Sequence, residues 1–383
     1  MLDYATLKLV WWVLVGALLI GFAVTDGMDM GVGMLLPFIA RDDSERRVAI
    51  NTVGPHWEGN QVWLVTAGGA IFAAWPMVYA AAFSGFYMAM LLVLFALFFR
   101  PVGIDYRSKI DNPRWRNAWD WGLFAGGLVP SVVFGVAFGN LLEGVPFHLD
   151  DMLRTHYEGS LFGALLPLLN PFALVAGVIS ATMMAMHGAI WLQLRADIPL
   201  AMKARAIAPK LGLIAVVLFA AAGLWVAFGL NGYRIVSAID PGALPNPLGK
   251  TVEIARGAWL ENYGRFPWAV AVPALGVVGL LGAALLARAN RPGLAFVASG
   301  FGMAGVVGTA GVSMFPFIMP SSTVPGSSLT VWDATSSLLT LKVMFWTVVI
   351  LLPIVLGYTV WCYARMWGRV TKEQIATFDH SSY

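Results

Sequence analysis

The chain has 383 residues, 59% of them hydrophobic and 12% charged, with a mean hydropathy of +0.74. A soluble globular protein carries about twice that share of charge, so the composition excludes a soluble enzyme and fits an all-α polytopic membrane protein. The net charge of +3 gives no reason to expect a nucleic-acid partner, and the lone Cys362 excludes a disulfide framework or a cysteine metal cluster.

A membrane span needs roughly 20 mainly apolar residues. In chain order, hydropathy predicts about nine helices: Lys8–Phe38, Gln61–Trp75, Met77–Phe99, Trp119–Leu142, Leu161–Leu194, Leu211–Leu230, Pro267–Ala287, Leu294–Phe317 and Ser337–Trp361. The first lacks a basic n-region or a small-residue cleavage site before it and is expected to stay as a membrane helix. The second is short as bounded, and Trp57–Asn60 extends it. Only Pro76 separates the second from the third, which implies a tight turn. Eight spans suit two four-helix bundles, approximately residues 1–142 and 161–317, with residues 337–361 as an extra helix in one integral membrane domain. Gly27 with Gly31, and Gly135 with Gly139, have the four-residue spacing that lets helices approach closely in lipid.

The connections alternate in charge. One set holds seventeen of the 24 Lys and Arg residues, at Arg41–Arg47, Arg100–Arg116, Arg195–Lys210, Arg288–Arg291 and Arg365–Lys372. The other set holds six, and Lys342 lies within the last span. Cytoplasmic loops carry the excess of Lys and Arg, so the predicted N-terminus faces outward and the C-terminus is cytoplasmic. The outward loops, Glu143–Ser160 with His148, His156 and Glu158, and the longer Asn231–Arg265, are too short to be separate domains. Asp42, Asp43 and Ser44 are candidate helix caps.

The polar residues inside this apolar frame carry the functional signal. Asp26 and Asp29 sit three apart on one face of the first span. An ionised acid at the centre of a membrane helix costs about 2.5–3.5 kcal/mol on insertion scales, so such a residue is sheltered from lipid and functional by default. The second span opens His56-Trp57-Glu58-Gly59-Asn60-Gln61, and the third ends Phe99-Arg100-Pro101 before Asp105-Tyr106-Arg107. Topology places all three clusters in the cytoplasmic half, where acids and amides at one depth can pass protons through intervening water. The structural alternative is a set of caps and one ion pair of Asp105 with Arg107 or Arg100; Asp29 could serve only helix packing. His187 in the fifth span has no partner histidine at its depth and reads as a satisfied core residue. Met183, Met184 and Met186 read as core filler, and the loop residues His148, His156 and His380 as solvated.

Five stretches resemble the cytochrome bd subunit 2 family, subunit II of bacterial cytochrome bd quinol oxidases: Thr25-Asp26-Gly27-Met28-Asp29-Met30-Gly31-Val32-Gly33, Trp57-Glu58-Gly59-Asn60-Gln61-Val62-Trp63, Arg100-Pro101-Val102-Gly103-Ile104-Asp105-Tyr106-Arg107, Met314-Phe315-Pro316-Phe317-Ile318-Met319-Pro320-Ser321-Ser322 and Leu329-Thr330-Val331-Trp332-Asp333-Ala334-Thr335-Ser336-Ser337. They run in order over nearly the whole chain. Position 58 carries Glu where the family often has Asp, which keeps the acid and lengthens it by one methylene.

The resemblance implies a bacterial inner-membrane terminal oxidase that oxidises quinol and reduces oxygen to water without pumping protons. It implies a larger, similarly folded subunit I that ligates two b-type haems and haem d, with no metal ligated by this chain. It implies a proton-transfer role for Asp26, Glu58 and Asp105, with Asp29, Trp57, Asn60 and Gln61 beside them. Quinol, membrane lipid, a small single-span accessory subunit and a structural quinone within this chain complete the expected partners. A proton-coupled secondary transporter and a purely structural partner subunit are the competing readings of the same acids.

Overall fold

Asp3 starts the first helix. Its carboxylate accepts the Thr6 amide at 2.7 Å and caps α1, Tyr4–Ile39. The computed structural model describes residues 2–157 and 165–377; Glu158, His380 and the predicted start of the fifth span at Leu161 lie outside the described residues. After α1 come α2 (Asp43–Val53), α3 (Trp57–Ala74), α4 (Pro76–Gly85), α5 (Tyr87–Leu97), α6 (Phe99–Tyr106) and α7 (Pro113–Glu143). A short hairpin, β1 (Phe147–Leu149) with β2 (Thr155–Tyr157), precedes α8 (Leu165–Leu168), α9 (Pro171–Arg195) and α10 (Ile198–Phe228). The hairpin of β3 (Asn231–Ile235) and β4 (Val252–Arg256) leads to α11 (Glu261–Arg265), α12 (Ala271–Arg288) and α13 (Pro292–Met314). The third pair, β5 (Phe317–Met319) and β6 (Leu329–Thr330), stands before α14 (Leu338–Arg365) and α15 (Lys372–Thr377).

Eight helical segments among the described residues are long and apolar enough to cross a membrane. The 18-residue α3 makes a ninth apolar helix. The chain is therefore an all-α polytopic membrane protein with three small hairpins at one end. α1 packs along α3, α7 and α9; α9 also packs on α7 and α10, and α12 pairs with α13. α14 touches α1 and α3 and leaves most of its surface free.

Several predicted boundaries move, for one reason. Hydropathy marks the lipid-embedded part of a helix, but backbone hydrogen bonding carries the helix on through polar residues at the interface. Thus α10 starts at Ile198 rather than Leu211, with Lys203, Arg205 and Lys210 on its first turns, and α7 starts at Pro113 rather than Trp119. α9 starts at Pro171, where Asn170 caps the Ala173 amide at 2.7 Å. The predicted third span is not one helix: it breaks at Phe86 between α4 and α5, where a Cβ on Gly85 would lie 2.5 Å from the Tyr157 ring.

Glycine sets the central crossing. A Cβ on Gly31 would collide with the Met184 carbonyl of α9, and one on Gly188 would collide with the Gly31 backbone. The same close approach joins α7 to α9 at Gly135 and Gly139. Without a hydrophobic force between helices in lipid, such small-residue contacts provide much of the packing. The hairpin end is tied down by polar side chains: the buried Lys8 ammonium donates to the Trp332 carbonyl at 2.7 Å and to the Ala243 carbonyl at 3.0 Å, and Lys250 pairs with Asp333 at 3.0 Å. Burial pulls the Lys250 ammonium below its ordinary value, against the pull of Asp333.

Candidate functional site

The acids of α1 meet their partners through three elements. Asp26 and Asp29 are both buried where α1 passes α3 and α6. Asn60 lies in the first turn of α3, and Arg100 is the second residue of α6; both are buried. Arg100 grips Asp26 with two nearly parallel bonds, Nη1 to Oδ2 at 2.7 Å and Nη2 to Oδ1 at 2.5 Å. Its Nη2 is 3.8 Å from Asp29 Oδ2. Asn60 donates its amide to that same Oδ2 at 2.8 Å, and its own Oδ1 accepts the Tyr363 hydroxyl of α14 at 2.7 Å. The Trp57 ring lies 5.7 Å from the guanidinium and screens it with apolar bulk. Bidentate, charge-assisted geometry of this kind is what makes a buried ion pair tolerable.

His56, just ahead of α3, stacks on Tyr363 at 4.1 Å with the rings 5° from parallel.

Of the seven residues singled out from sequence, Asp26, Asp29, Asn60 and Trp57 converge. Glu58 does not: it is exposed on the first turn of α3 and makes no hydrogen bond or ion pair among the described residues. Gln61 and Asp105 are half-buried, and neither joins the cluster by a bond among the described residues. The pairing of Asp105 with Arg100 or Arg107 does not form. Arg100 belongs to Asp26, and Arg107 pairs with Asp120 at 2.6 Å and Asp43 at 2.9 Å.

Sequence reasoning missed three participants. Arg100 was placed at the right end but without its partner, because nothing local joins a residue of α6 to one 74 positions earlier. Tyr363 falls two residues beyond the predicted last span, in the part of α14 that hydropathy does not mark. Asp120 did carry one, as an acid inside the predicted fourth span: it is fully buried and takes Arg46 at 2.6 Å as well as Arg107. This second cluster ties α2 and the turn that follows α6 to α7 at the Arg-rich end.

His187 is satisfied within the chain, with Nδ1 2.6 Å from Ser299 Oγ and Nε2 2.9 Å from the Val24 carbonyl. Both ring nitrogens are thus engaged, which does not fit an axial haem ligand. Met183, Met184 and Met186 are buried in the core, as their composition predicts. A separate chamber of about 500 Å³ is walled by apolar side chains of α1, α7, α9, α10, α12 and α13.

Residues 7–366 match the family described as cytochrome bd terminal oxidase subunit II. The chain is 58% identical to cytochrome bd-I ubiquinol oxidase subunit 2 of Escherichia coli K12 over 383 residues, covering all of both chains. It is 53% identical to a probable cytochrome oxidase subunit 2 of Haemophilus influenzae, again over the full length of both, and 33% identical to cytochrome bd ubiquinol oxidase subunit 2 of Bacillus subtilis over 98% of this chain and 100% of that one. The fold is similar to a chain of the bd oxidase from Geobacillus thermodenitrificans, with a TM-score of 0.63 at 16% identity, covering 94% of this chain and 99% of that one. With buried acids on α1 and a match that runs from Leu7 to Met366, the chain belongs to the cytochrome bd terminal oxidase subunit II family.

Proposed function

We propose that this chain is the second subunit of a quinol:oxygen oxidoreductase and that it supplies a proton path from the cytoplasm towards the oxygen-reduction site of its partner. The observation that carries this reading is the pair of acids, Asp26 and Asp29, buried around one guanidinium at the Arg-rich end of the membrane domain. A membrane protein keeps such a group where it serves a pathway. The names of the relatives, ubiquinol oxidase subunit 2, supply the donor and the multisubunit setting.

In this reading the two b-type haems and haem d are ligated by subunit I, and the chemistry of oxygen belongs to them. Glu58 is exposed on a helix at the membrane, where an uncovered acid is costly. Subunit I covers it in the assembled complex, which puts Glu58 at the crossing between the two chains. Asp105 lies near the Arg-rich entrance, and Trp57 and Gln61 line the same region. The positive-inside rule sets the Arg-rich end in the cytoplasm, the N-terminus in the periplasm and the whole in the bacterial inner membrane. A structural quinone would have its place in the apolar chamber, whose few polar groups include Ser180, Tyr263 and Ser313. The largely free surface of α14 suits lipid or a single-span accessory subunit.

The test is Glu58→Gln in the complex purified through this chain. Quinol-driven oxygen consumption is expected to fall about tenfold, equivalent to roughly 1.4 kcal/mol, with the haem absorbance of the complex unchanged. Full turnover in the variant rejects the proton role of Glu58.

A further inference from the structure

The two acids of the cluster are not equivalent. Asp26 gives both oxygens to Arg100. Asp29 gives only Oδ2, to Asn60, and among the described residues its buried Oδ1 has no hydrogen-bond partner. Asn60 is held by the Tyr363 hydroxyl with its N–H towards Asp29, so Oδ2 is occupied as an acceptor. A cavity of about 20 Å³ lies between α1, α2, α6 and α7, lined by Asp29, Gly33, Ile50, Val53, Arg100 and Leu123 among others. Asp29 is on its wall and Asn60 is not, and Oδ1 is the Asp29 oxygen that Asn60 leaves unpartnered. A single water needs about 10–15 Å³ and two or more polar partners; Asp29 and Arg100 provide two.

Charge completes the assignment. Two carboxylates face one guanidinium in a site closed to lipid, and one uncompensated negative charge there is expensive. A single proton balances the cluster. Both Asp26 oxygens already accept guanidinium N–H bonds, and Asp29 Oδ2 accepts from Asn60. Oδ1 of Asp29 is the one carboxylate oxygen of the pair that accepts no hydrogen bond among the described residues.

We propose that Asp29 is the proton-exchanging acid of the cluster and that it exchanges through one water held in this cavity, while Asp26 with Arg100 is a fixed ion pair. A hydronium in the cavity gives its proton to Oδ1, leaving water and a neutral carboxylic acid; the reverse step returns the carboxylate and a hydronium. Arg100 and Asp26 keep their charges throughout. This deepens the proton-path reading above and rests on it.

The experiment uses the haem-loaded two-subunit complex, with infrared difference spectra in the carboxylic C=O region and quinol-driven oxygen consumption. Asp29→Asn is expected to remove a protonated-carboxyl band and to slow turnover at least tenfold, with haem absorbance intact. Asn60→Ala, which loses a bond to Asp29 and none to Asp26, is expected to shift the band. Val53→Leu, which adds a methylene to the cavity wall and touches no charge, is expected to shift the band and slow turnover severalfold. A band that survives Asp29→Asn, or that ignores both Asn60→Ala and Val53→Leu, overturns the proposal. Should Asp29→Asn fail to assemble, the other two variants decide with the acid in place. If Glu58→Gln slows turnover and Asp29→Asn does not, the assignment to Asp29 falls and the path stands. If Asp29→Asn loses the band while Glu58→Gln is silent, the Glu58 route falls and the assignment stands.

Discussion

Arg100 is 3% exposed and has two acids within 4 Å, which makes it the residue on which the cluster depends. A buried ion pair adds little net stability over an apolar core, but removing one partner strands the other at about 3–5 kcal/mol. Arg100→Leu strands Asp26 and takes the nearby cation from Asp29. It is expected to destabilise the chain by at least that amount, seen as a lowered unfolding temperature in detergent and a sharp drop in complex recovered through a tag on this chain. Recovery and melting equal to the parent would show that the cluster is not held together by charge. The sequence identified the acids through the cost of an acid in lipid. It could not identify their counter-ion, since Arg100, Arg107, Arg114 and Arg116 look alike from hydropathy and only packing selects among them.

Elements begin and end where local chemistry allows, and here the sequence was informative. Asp42, named as a cap candidate, accepts the Glu45 amide at 2.7 Å and starts α2. Bonds from the Ser44 hydroxyl and the Glu45 amide pull its carboxyl from the ordinary 3.8 down to about 2. A carboxylate depressed on folding contributes stability above its unfolded value and loses it as pH falls through the folded one. Asp42→Ala is therefore expected to cost about 1 kcal/mol at neutral pH, typical of a lost N-cap. The difference from the parent in thermal unfolding should narrow as pH falls from about 4 to about 2; a difference that stays constant over that window assigns the effect to something other than the cap. The Phe86 break was not legible, because the Tyr157 ring that packs against the neighbouring Gly85 comes from a hairpin 72 residues after that glycine.

For the whole molecule, the proposed topology of nine crossings sets the two ends of the chain on opposite faces, and charge decides which is which. Asp111, with a 95% exposed side chain, lies in the connection before α7, and Leu244, 81% exposed, lies between β3 and β4. In a Cys362→Ser background, Asp111→Cys and Leu244→Cys should react from opposite sides with a membrane-impermeant maleimide. Intact cells should label Leu244→Cys and spare Asp111→Cys, and inverted vesicles the reverse. Labelling of both from one side would refute the helix count; a swapped pattern would refute the orientation.

What the sequence determined by itself was the class of protein and the general location of its chemistry. Lipid tolerates neither an unsatisfied backbone nor a stranded acid, so hydropathy, charge asymmetry and a few polar residues are read against a strict solvent. The tertiary structure decided pairing. It gave Arg100 to Asp26 and not to Asp105, gathered Asn60 and Tyr363 around Asp29, and left Glu58 on the outer face of α3. Those choices rest on helix crossings set by contacts such as Gly31 with Gly188, 157 residues apart. Hydrogen bonds and ion pairs act over a few ångströms, so a partner that distant in the chain becomes a neighbour only once the helices have packed.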